Sequence, residues 1–324
     1  MSRAADAAAL LTWHALRVLV EGELTSAAVA SPDADARWIV SEVSGYTPAE
    51  LATHERAETA PAVAVERVRR LAARRAQGEP LQYVLGAWSF RGIDLMVDRR
   101  VLIPRLETEV TAQVAIEEAE RLGARRGRRD PWSASATAYA VADLGTGSGA
   151  LALSLASELP DAEVWAVDAS ADALAVARAN LSAITSSAAV RVRLAQGDWF
   201  EAMPDELRGT LRVVAANPPY VARKELDDLP PEVAHHEPVD ALVAGETGLE
   251  QIERIVADAP RWLDSEGTLV CELAPHQAEV AVSMACDAGF VEVHVRRDLA
   301  GRDRVLVARR AARPTLAEEQ NRGG

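Results

Sequence analysis

A glycine-rich turn, Asp143-Leu144-Gly145-Thr146-Gly147-Ser148-Gly149, joins a predicted strand at 141–144 to a predicted helix at 150–158. Glycines in such a turn permit a tight backbone path, and free N–H groups at the start of the helix can face a ligand. The Gly-X-Gly-X-Gly spacing differs from the Gly-X-Gly-X-X-Gly spacing of dinucleotide sites. Taken alone, the turn is weak support for a nucleotide-like ligand, and a dinucleotide site is the obvious competitor.

Strands and helices alternate along the chain after this turn. Further strands are predicted at 163–167, 190–194, 212–216, 268–272 and 291–295, with a helix at 171–182. Repeated β-α units favour a mostly parallel sheet with helices on both faces. Ligands of such α/β sheets bind at the carboxyl ends of the strands.

Apolar residues before this α/β region recur with a different spacing. Helical spacing of apolar residues extends to about residue 80, where Gly78 is expected to end the last helix. From 81 to 101 the pattern predicts a strand, a turn at Arg91-Gly92 and a second strand. We therefore expect four parts: a helical domain at 1–80, a β-hairpin linker at 81–104, an α/β domain at 105–312 and a disordered tail at 313–324.

Acidic residues follow the next two strands of the α/β region. Asp168 ends the second strand, where a carboxylate can accept both hydroxyls of a ribose. Asp198-Trp199 follows the third strand, where a carboxylate and an aromatic face could clamp an adenine ring. Asp168 could instead cap the next helix, and Trp199 could be a core residue. Three successive strand ends with such residues nevertheless favour a nucleoside site.

A second turn, Asn217-Pro218-Pro219-Tyr220, follows the buried strand at 212–216. Two consecutive prolines remove two backbone donors and make the turn rigid. An amide oxygen, a carbonyl and an aromatic face are then held together, which suits a planar –NH2 group with two N–H bonds. The alternative is a proline-rich turn with an incidental Asn and Tyr.

A nucleoside site beside a turn that can bind a planar –NH2 group indicates S-adenosyl-L-methionine as cofactor. Methyl transfer needs an in-line approach at about 3–3.5 Å and little else beyond positioning. An amide nitrogen is a poor nucleophile, so its two N–H bonds would be accepted by the Asn217 side chain and the Pro218 carbonyl, with Tyr220 holding the amide plane. No general base is required, because the cationic product loses its proton easily.

Composition excludes several other classes of function. The 324 residues include 35 basic and 49 acidic ones, and the resulting charge of −14 argues against non-specific binding to a phosphate backbone. Cys271 and Cys286 are too few for a disulfide framework and lack metal-site spacing, so no metal is predicted. No apolar run is long enough to span a bilayer or to serve as a signal peptide, and we expect a cytoplasmic protein.

Other segments resemble a known family together with the two turns. They are Gly78-Glu79-Pro80-Leu81-Gln82-Tyr83, Val101-Leu102-Ile103-Pro104-Arg105, Glu107-Thr108-Glu109, Gly197-Asp198-Trp199-Phe200, His236-Glu237-Pro238, Ala241-Leu242-Val243-Ala244-Gly245 and Asp298-Leu299-Ala300-Gly301-Arg302-Asp303-Arg304. Over almost its whole length the chain resembles the PrmC/HemK protein-(glutamine-N5) methyltransferases. The glycine turn and the Asn-Pro-Pro-Tyr turn are shared with many amino-methylating enzymes. Far more selective are the hairpin, the stretch from Glu237-Pro238 to Ala241-Leu242-Val243-Ala244-Gly245, and Asp298-Leu299-Ala300-Gly301-Arg302-Asp303-Arg304.

The resemblance implies a Rossmann-like, seven-stranded class I methyltransferase domain of α/β class, preceded by a small helical-bundle domain that recognises the substrate and by a linking β-hairpin. It implies that the substrate is the glutamine of the Gly-Gly-Gln loop in class 1 peptide chain release factors. Carried over by position, the cofactor contacts are Gly145, Thr146, Gly147, Ser148, Gly149, Asp168, Trp199 and Asn217, and the glutamine contacts are Asn217, Pro218, Pro219 and Tyr220.

Two positions depart from the family pattern. Leu106 stands where the family has proline, which is expected to loosen that turn, and Ala274 stands where it has glycine. A helix is predicted at 108–122, and the arginine-rich stretch 125–129 after it is predicted to be a solvated loop.

Three rival functions remain open at the level of sequence. An N6-adenine methyltransferase would use the same turn on a nucleic acid, but its binding should weaken steeply with salt. A binding-only protein would take up cofactor or release factor without transferring a methyl group. A nicotinamide oxidoreductase would need a proton donor beside the hydride site, and none is evident.

Overall fold

The computed structural model describes residues 11–126, 139–184 and 187–312, with the side chains of 124–126 left out. The contacts divide the chain into two compact units, 1–87 with 230–236 and 88–229 with 237–324. The predicted disordered tail at 313–324 lies outside the described residues. The arginine-rich stretch was predicted to be a loop, and this is wrong for Arg125 and Arg126, which end a helix; 127–129 lie outside the described residues.

The helices and strands follow one another along the chain in a fixed order. They are α1 (Trp13–Ser26), α2 (Pro32–Ser44), α3 (Pro48–His54), α4 (Ala62–Ala76), α5 (Leu81–Leu85), β1 (Ala87–Phe90), β2 (Ile93–Met96), α6 (Leu106–Arg126), β3 (Tyr139–Leu144), α7 (Ala150–Glu158), β4 (Ala162–Asp168), α8 (Ala171–Ala183), β5 (Val192–Gln196), β6 (Leu211–Ala216), β7 (Val221–Ala222), α9 (Pro231–His236), α10 (Val239–Leu242), β8 (Val243–Gly245), α11 (Glu250–Trp262), β9 (Leu263–Glu272), α12 (Ala278–Asp287), β10 (Glu292–Arg297) and β11 (Asp303–Arg309).

The first unit is a small helical bundle. Apolar residues of α1, α2 and α4 recur at helical spacing and form its core, including Leu16, Ile39 and Val68. A buried ion pair crosses this bundle: Arg75 Nε donates to Asp35 Oδ2 at 2.7 Å, and Arg75 Nη1 lies 3.0 Å from Glu232 Oε2. The second contact joins α9, a helix far along the chain, to the N-terminal helices.

The second unit contains a seven-stranded sheet in the order β10-β11-β9-β6-β3-β4-β5. The neighbouring pairs β9-β6, β6-β3, β3-β4 and β4-β5 are parallel, whereas β11 is antiparallel to β9 and β10. The predicted Rossmann-like fold of class I methyltransferases, with a helical bundle before it, is confirmed.

Helices cover both faces of this sheet. Val213 and Ala215 of β6 pack in the core that contains α6 and α7, whereas Val214 and Ala216 pack with α11 and α12. Strands buried on both faces carry apolar residues at every position, and β6 does so after Arg212. None of the helices in the described ranges is long and apolar enough to cross a lipid bilayer.

The hairpin differs from its prediction at one end. Residues 81–85 were predicted to begin a strand, and this is wrong, because they form the short helix α5, which ends at Gly86 with φ +79°. The strands are therefore limited to β1 and β2. Asn180 of α8 binds the last residue of β2 through two backbone hydrogen bonds. Its Oδ1 accepts from the Met96 N–H at 2.7 Å, and its Nδ2 donates to the Met96 carbonyl at 3.0 Å.

We expect Asp35→Ala to lower the free energy of unfolding by about 3 kcal/mol, because Arg75 would be left buried with only part of its partners. Asp33→Ala is the matched control: Asp33 lies on the same first turn of α2, but its carboxylate is exposed and pairs with Arg37 at 2.8 Å and with Arg17 at 3.0 Å. Pairs of an exposed carboxylate contribute about 1 kcal/mol or less. Urea unfolding of both variants measures the difference, and equal losses would show that burial adds nothing to the effect of the Arg75 pair.

Candidate active site

The two turns singled out in the sequence lie side by side at the centre of the sheet. β3 and β6 are parallel neighbours, and their register pairs Leu144 with Ala216, the last residue of each strand. The strand order reverses direction between them, since β4 and β5 lie on one side and β9 on the other. Such a switch point opens a crevice at the carboxyl edge of a parallel sheet.

A cavity of about 660 Å³ lies at this edge, which is within the size range of small-molecule sites. Nine of the predicted site residues line it: Gly145, Thr146, Gly147, Ser148, Asp168, Asp198, Trp199, Asn217 and Pro219. Gly149, Pro218 and Tyr220 are not among its lining residues. The structure therefore brings most of the predicted cofactor residues to one cavity, while the second turn contributes only Asn217 and Pro219 to its wall.

The glycine turn is held by hydrogen bonds to β4. The N–H groups of Gly145 and Thr146 both donate to the Val167 carbonyl at 2.9 Å. Gly145 has φ +73°, and a Cβ atom there would lie 3.2 Å from Trp199 Cζ3. A side chain at position 145 would therefore meet both backbone strain and the indole ring.

Asp143 anchors the same turn from behind. Its buried Oδ2 accepts from the Thr146 hydroxyl at 2.6 Å and from the Ala152 N–H at 3.0 Å. Burial raises the pKa of the Asp143 carboxyl to about 7, although both hydrogen bonds favour the charged form. Sequence reasoning placed Asp143 in the turn without giving it this role.

Asp168 lies at the end of β4, where the sequence predicted a ribose partner. Its Oδ2 accepts from the Gly147 N–H at 2.8 Å and its Oδ1 from the Ser170 N–H at 2.9 Å. Ser170, not Asp168, caps α8, because its hydroxyl accepts from the Ala173 N–H. Burial raises the pKa of Asp168 against these two hydrogen bonds. Each carboxylate oxygen keeps one further acceptor position for a ligand.

Asp198 and Trp199 are oriented by α11. Arg254 Nη2 donates to Asp198 Oδ2 at 2.5 Å, and the Trp199 indole N–H donates to Gln251 Oε1 at 3.0 Å. Gln251 and Arg254 are three residues apart on one helix face and both line the cavity. Sequence reasoning missed both, because nothing in the pattern of α11 distinguishes them from other surface polar residues.

Within the described residues, the Asn217 side chain of the second turn uses only one end of its amide for a hydrogen bond. Its Nδ2 donates to Thr108 Oγ1 at 3.1 Å. Its Oδ1 is buried and accepts no hydrogen bond from any residue in the described ranges. A buried acceptor without a donor is costly in a folded protein. The atom that the sequence assigned to a substrate N–H is thus available for one.

Gln277 holds the far end of this turn in place. Its Nε2 donates to the carbonyls of Tyr220 and Gly248, both at 2.9 Å, and its Oε1 accepts from the Ala274 N–H at 3.0 Å. The Tyr220 ring is largely buried, and this burial raises the pKa of its hydroxyl to about 12. No sequence pattern marked Gln277 in advance.

The two departures from the family pattern have simple local surroundings. Leu106 is 70% exposed and is the first residue of α6, where the backbone begins a helix without proline. Ala274 has φ −75° and ψ 145°, an ordinary conformation for a residue with a side chain. Ala274 therefore does not occupy a position that requires glycine.

The fold and its cavity define a class I methyltransferase, with a mostly parallel seven-stranded sheet and a ligand site at its switch point. Residues 5–86 match the PrmC N-terminal domain, and residues 133–235 match the methyltransferase small domain. The second match implies a methyl donor of the S-adenosylmethionine type.

Several relatives have the same name. The release factor glutamine methyltransferase of Bordetella pertussis is 39% identical over 85% of this chain and 93% of its own length. That of Deinococcus radiodurans is 36% identical over 89% and 95%, and that of Geobacter sulfurreducens is 37% identical over 74% and 77%. The chain belongs to the release factor glutamine methyltransferase family.

The raised pKa of the Asp143 carboxyl predicts a pH dependence of stability. Because the folded pKa lies above the ordinary value, the stability that this group contributes is present at low pH and is lost as the pH rises to about 7. Relative to Asp143→Asn, the wild type should lose up to about 1.4 kcal/mol of unfolding free energy per pH unit between about pH 5 and pH 7, and then level off. Urea unfolding across this range measures it. Asp172→Asn, at an exposed position on α8, leaves Asp143 in place and should therefore retain the slope that Asp143 causes.

Proposed function

We propose that this chain transfers a methyl group from S-adenosyl-L-methionine to the side-chain amide nitrogen, N5, of the glutamine in the Gly-Gly-Gln motif of class 1 peptide chain release factors. The observation that carries the proposal is the Asn217 side chain, whose buried Oδ1 accepts no hydrogen bond within the described residues. Family membership supports the same reaction, because its members are named for glutamine methylation of release factors.

The reaction requires that the amide of the substrate glutamine be held in a fixed orientation. The lone pair of an amide nitrogen is delocalised into its carbonyl, so the nitrogen attacks only when it is oriented. Asn217 Oδ1 would accept one N–H of the glutamine, and the Pro218 carbonyl would accept the other. Positive charge that develops on the nitrogen strengthens both hydrogen bonds as the reaction proceeds.

The residues around the cavity fit the proposed cofactor. Asp168 keeps an acceptor position on each oxygen for ribose hydroxyls, and Trp199 presents its ring at the cavity for an adenine. Gly145 and Gly147 let the backbone approach a ligand closely. When bound, the cofactor supplies a methyl group activated by its sulfonium. We assign the cofactor contacts to Gly145 to Gly149, Asp168, Asp198, Trp199 and Asn217.

The charge of the chain supports a protein substrate over a nucleic acid. At −14 the chain would be repelled by a phosphate backbone unless a local basic patch compensated. We propose that the helical part at 1–80 recognises the release factor, and that the reaction takes place in the cytoplasm, where release factors act.

The deciding experiment incubates the chain with a purified release factor and isotopically labelled S-adenosylmethionine. Mass spectrometry then locates the label. We expect it on the glutamine of the Gly-Gly-Gln motif; label on another residue, or on nucleic acid offered in competition, would reject the substrate assignment.

Asn217→Ala should lower kcat by at least about 100-fold, because the amide loses one of its two acceptors and its alignment. Binding of S-adenosylhomocysteine should stay within about tenfold of the wild type, because the other cofactor contacts remain. Single-turnover methylation and calorimetry measure the two effects. Normal methylation by this variant would contradict the proposed grip.

Asp168→Ala should weaken the affinity for S-adenosylhomocysteine by about 10- to 100-fold, because hydrogen bonds to a carboxylate are lost. Asp172→Ala removes the same charge from an exposed position four residues away and should leave the affinity unchanged. Calorimetric titration compares the two variants. Equal affinities would reject the ribose role of Asp168.

A further inference from the structure

We infer that Thr108 is a positioning residue for the transfer: its hydroxyl orients the Asn217 side-chain amide with Oδ1 toward the substrate, and the buried Glu272 carboxylate sets the direction of that hydroxyl. The inference rests on the proposed function for its effect on catalysis. The orientation of Asn217 itself can be tested without any substrate.

Thr108 and Asn217 meet behind the second turn, and Glu272 lies on the strand beside the one that leads into this turn. Thr108 is 4% exposed on the first turn of α6, and its Oγ1 accepts from Asn217 Nδ2 at 3.1 Å. Glu272 is fully buried at the end of β9, and β9 pairs with β6, which leads into Asn217. Thr111, one turn beyond Thr108 on the same helix face, donates to Glu272 Oε2 at 3.1 Å.

The direction of the hydrogen bonds follows from donor counting. An ionised carboxylate only accepts, and a threonine hydroxyl has one hydrogen to donate. When the Thr108 hydroxyl points its hydrogen at Glu272, it can offer Asn217 only a lone pair. Asn217 must then present its NH2 group to Thr108, which leaves Oδ1 facing the turn. The reversed amide would direct its own N–H groups at the N–H groups of the substrate.

The charge state of Glu272 supports this assignment. Burial raises its pKa to about 7, while the hydroxyls of Thr108 and Thr111 and the charge of Arg304 favour the ionised form. Glu107 of α6 opposes ionisation, and the largely buried Tyr220 and Cys271 also interact with Glu272. An ionised Glu272 favours a Thr108 hydrogen that points toward it, and this preference is stronger above about pH 7 than below.

Selective isotope labelling tests the orientation directly. The chain contains three asparagines, Asn180, Asn217 and Asn321, so ¹⁵N-asparagine labelling gives a short set of side-chain NH2 signals. Thr108→Val removes the acceptor and should speed exchange of the Asn217 NH2 protons with water by about fivefold. Asn180, held by Met96 and Ser148, should be unaffected. Unchanged Asn217 exchange would overturn the inference.

Kinetics with a matched control test the consequence. Thr111→Val removes the hydroxyl that donates to Glu272 Oε2 at 3.1 Å and leaves the hydrogen bond between Thr108 and Asn217 in place. Thr108→Val should lower kcat by about 10- to 100-fold with KM nearly unchanged, whereas Thr111→Val and Thr108→Ser should stay within about threefold of the wild type. Equal effects of the two valine variants would show that only packing around Glu272 matters.

The pH profile tests the part assigned to Glu272. The ratio of kcat between wild type and Thr108→Val should grow as the pH rises through about 7, because only the wild type senses the ionisation of Glu272. A ratio that is constant with pH would remove Glu272 from the assignment. If the wild type methylates no release factor, the proposed function fails, while the exchange measurement still decides the orientation of Asn217.

Discussion

The parallel pairing of β3 with β6 is the constraint on which the site depends. Its register ends both strands at the same level, so the glycine turn and the Asn-Pro-Pro-Tyr turn leave the sheet together. A shift of one residue would turn every side chain of one strand to the other face. Because β6 packs against helices on each side, such a shift would disturb the packing of both cores, and this close packing holds the two turns at one cavity.

Polar side chains behind the cavity also hold its two turns in place. Asp143 ties the glycine turn to the start of α7, Asn180 ties the same turn to the hairpin through the Ser148 carbonyl, and Gln277 ties the second turn to Gly248. Each of these side chains is buried and makes at least two hydrogen bonds. Buried hydrogen bonds of this kind make a structure rigid, whereas Asn217 lines the cavity and keeps its Oδ1 for a ligand.

The sequence predicted the features whose signal is local. Strand-turn-helix periodicity predicted the sheet, and both turns were located at the strand ends, because glycine and proline act on the backbone where they stand. Sequence reasoning failed where the cause lies far along the chain. Residues 81–85 form a helix despite a strand-like pattern, and Thr108 contacts Asn217 across more than a hundred positions. Gln251 and Arg254 acquire their roles only when α11 packs beside Trp199.

Two planar amino groups compete for the same turn, and the turn by itself does not choose between them. A glutamine amide and an adenine each present two N–H bonds in a plane, and Asn217 Oδ1 accepts equally from either. Discrimination must therefore come from the walls of the cavity. Residues of two segments, 101–104 and 238–241, line these walls, and the second segment belongs to one of the more selective motifs of the sequence.

A buried carboxylate joins these two walls. Glu237 accepts from the Ile103 N–H at 3.1 Å and pairs with the Arg105 guanidinium. Removing one partner of an ion pair whose carboxylate is buried lowers the free energy of unfolding by several kcal/mol. This pair therefore holds the two walls at a fixed separation. Under the proposed function, a glutamine side chain enters this opening without the cost of a few kcal/mol that is needed to take a base out of a stacked helix.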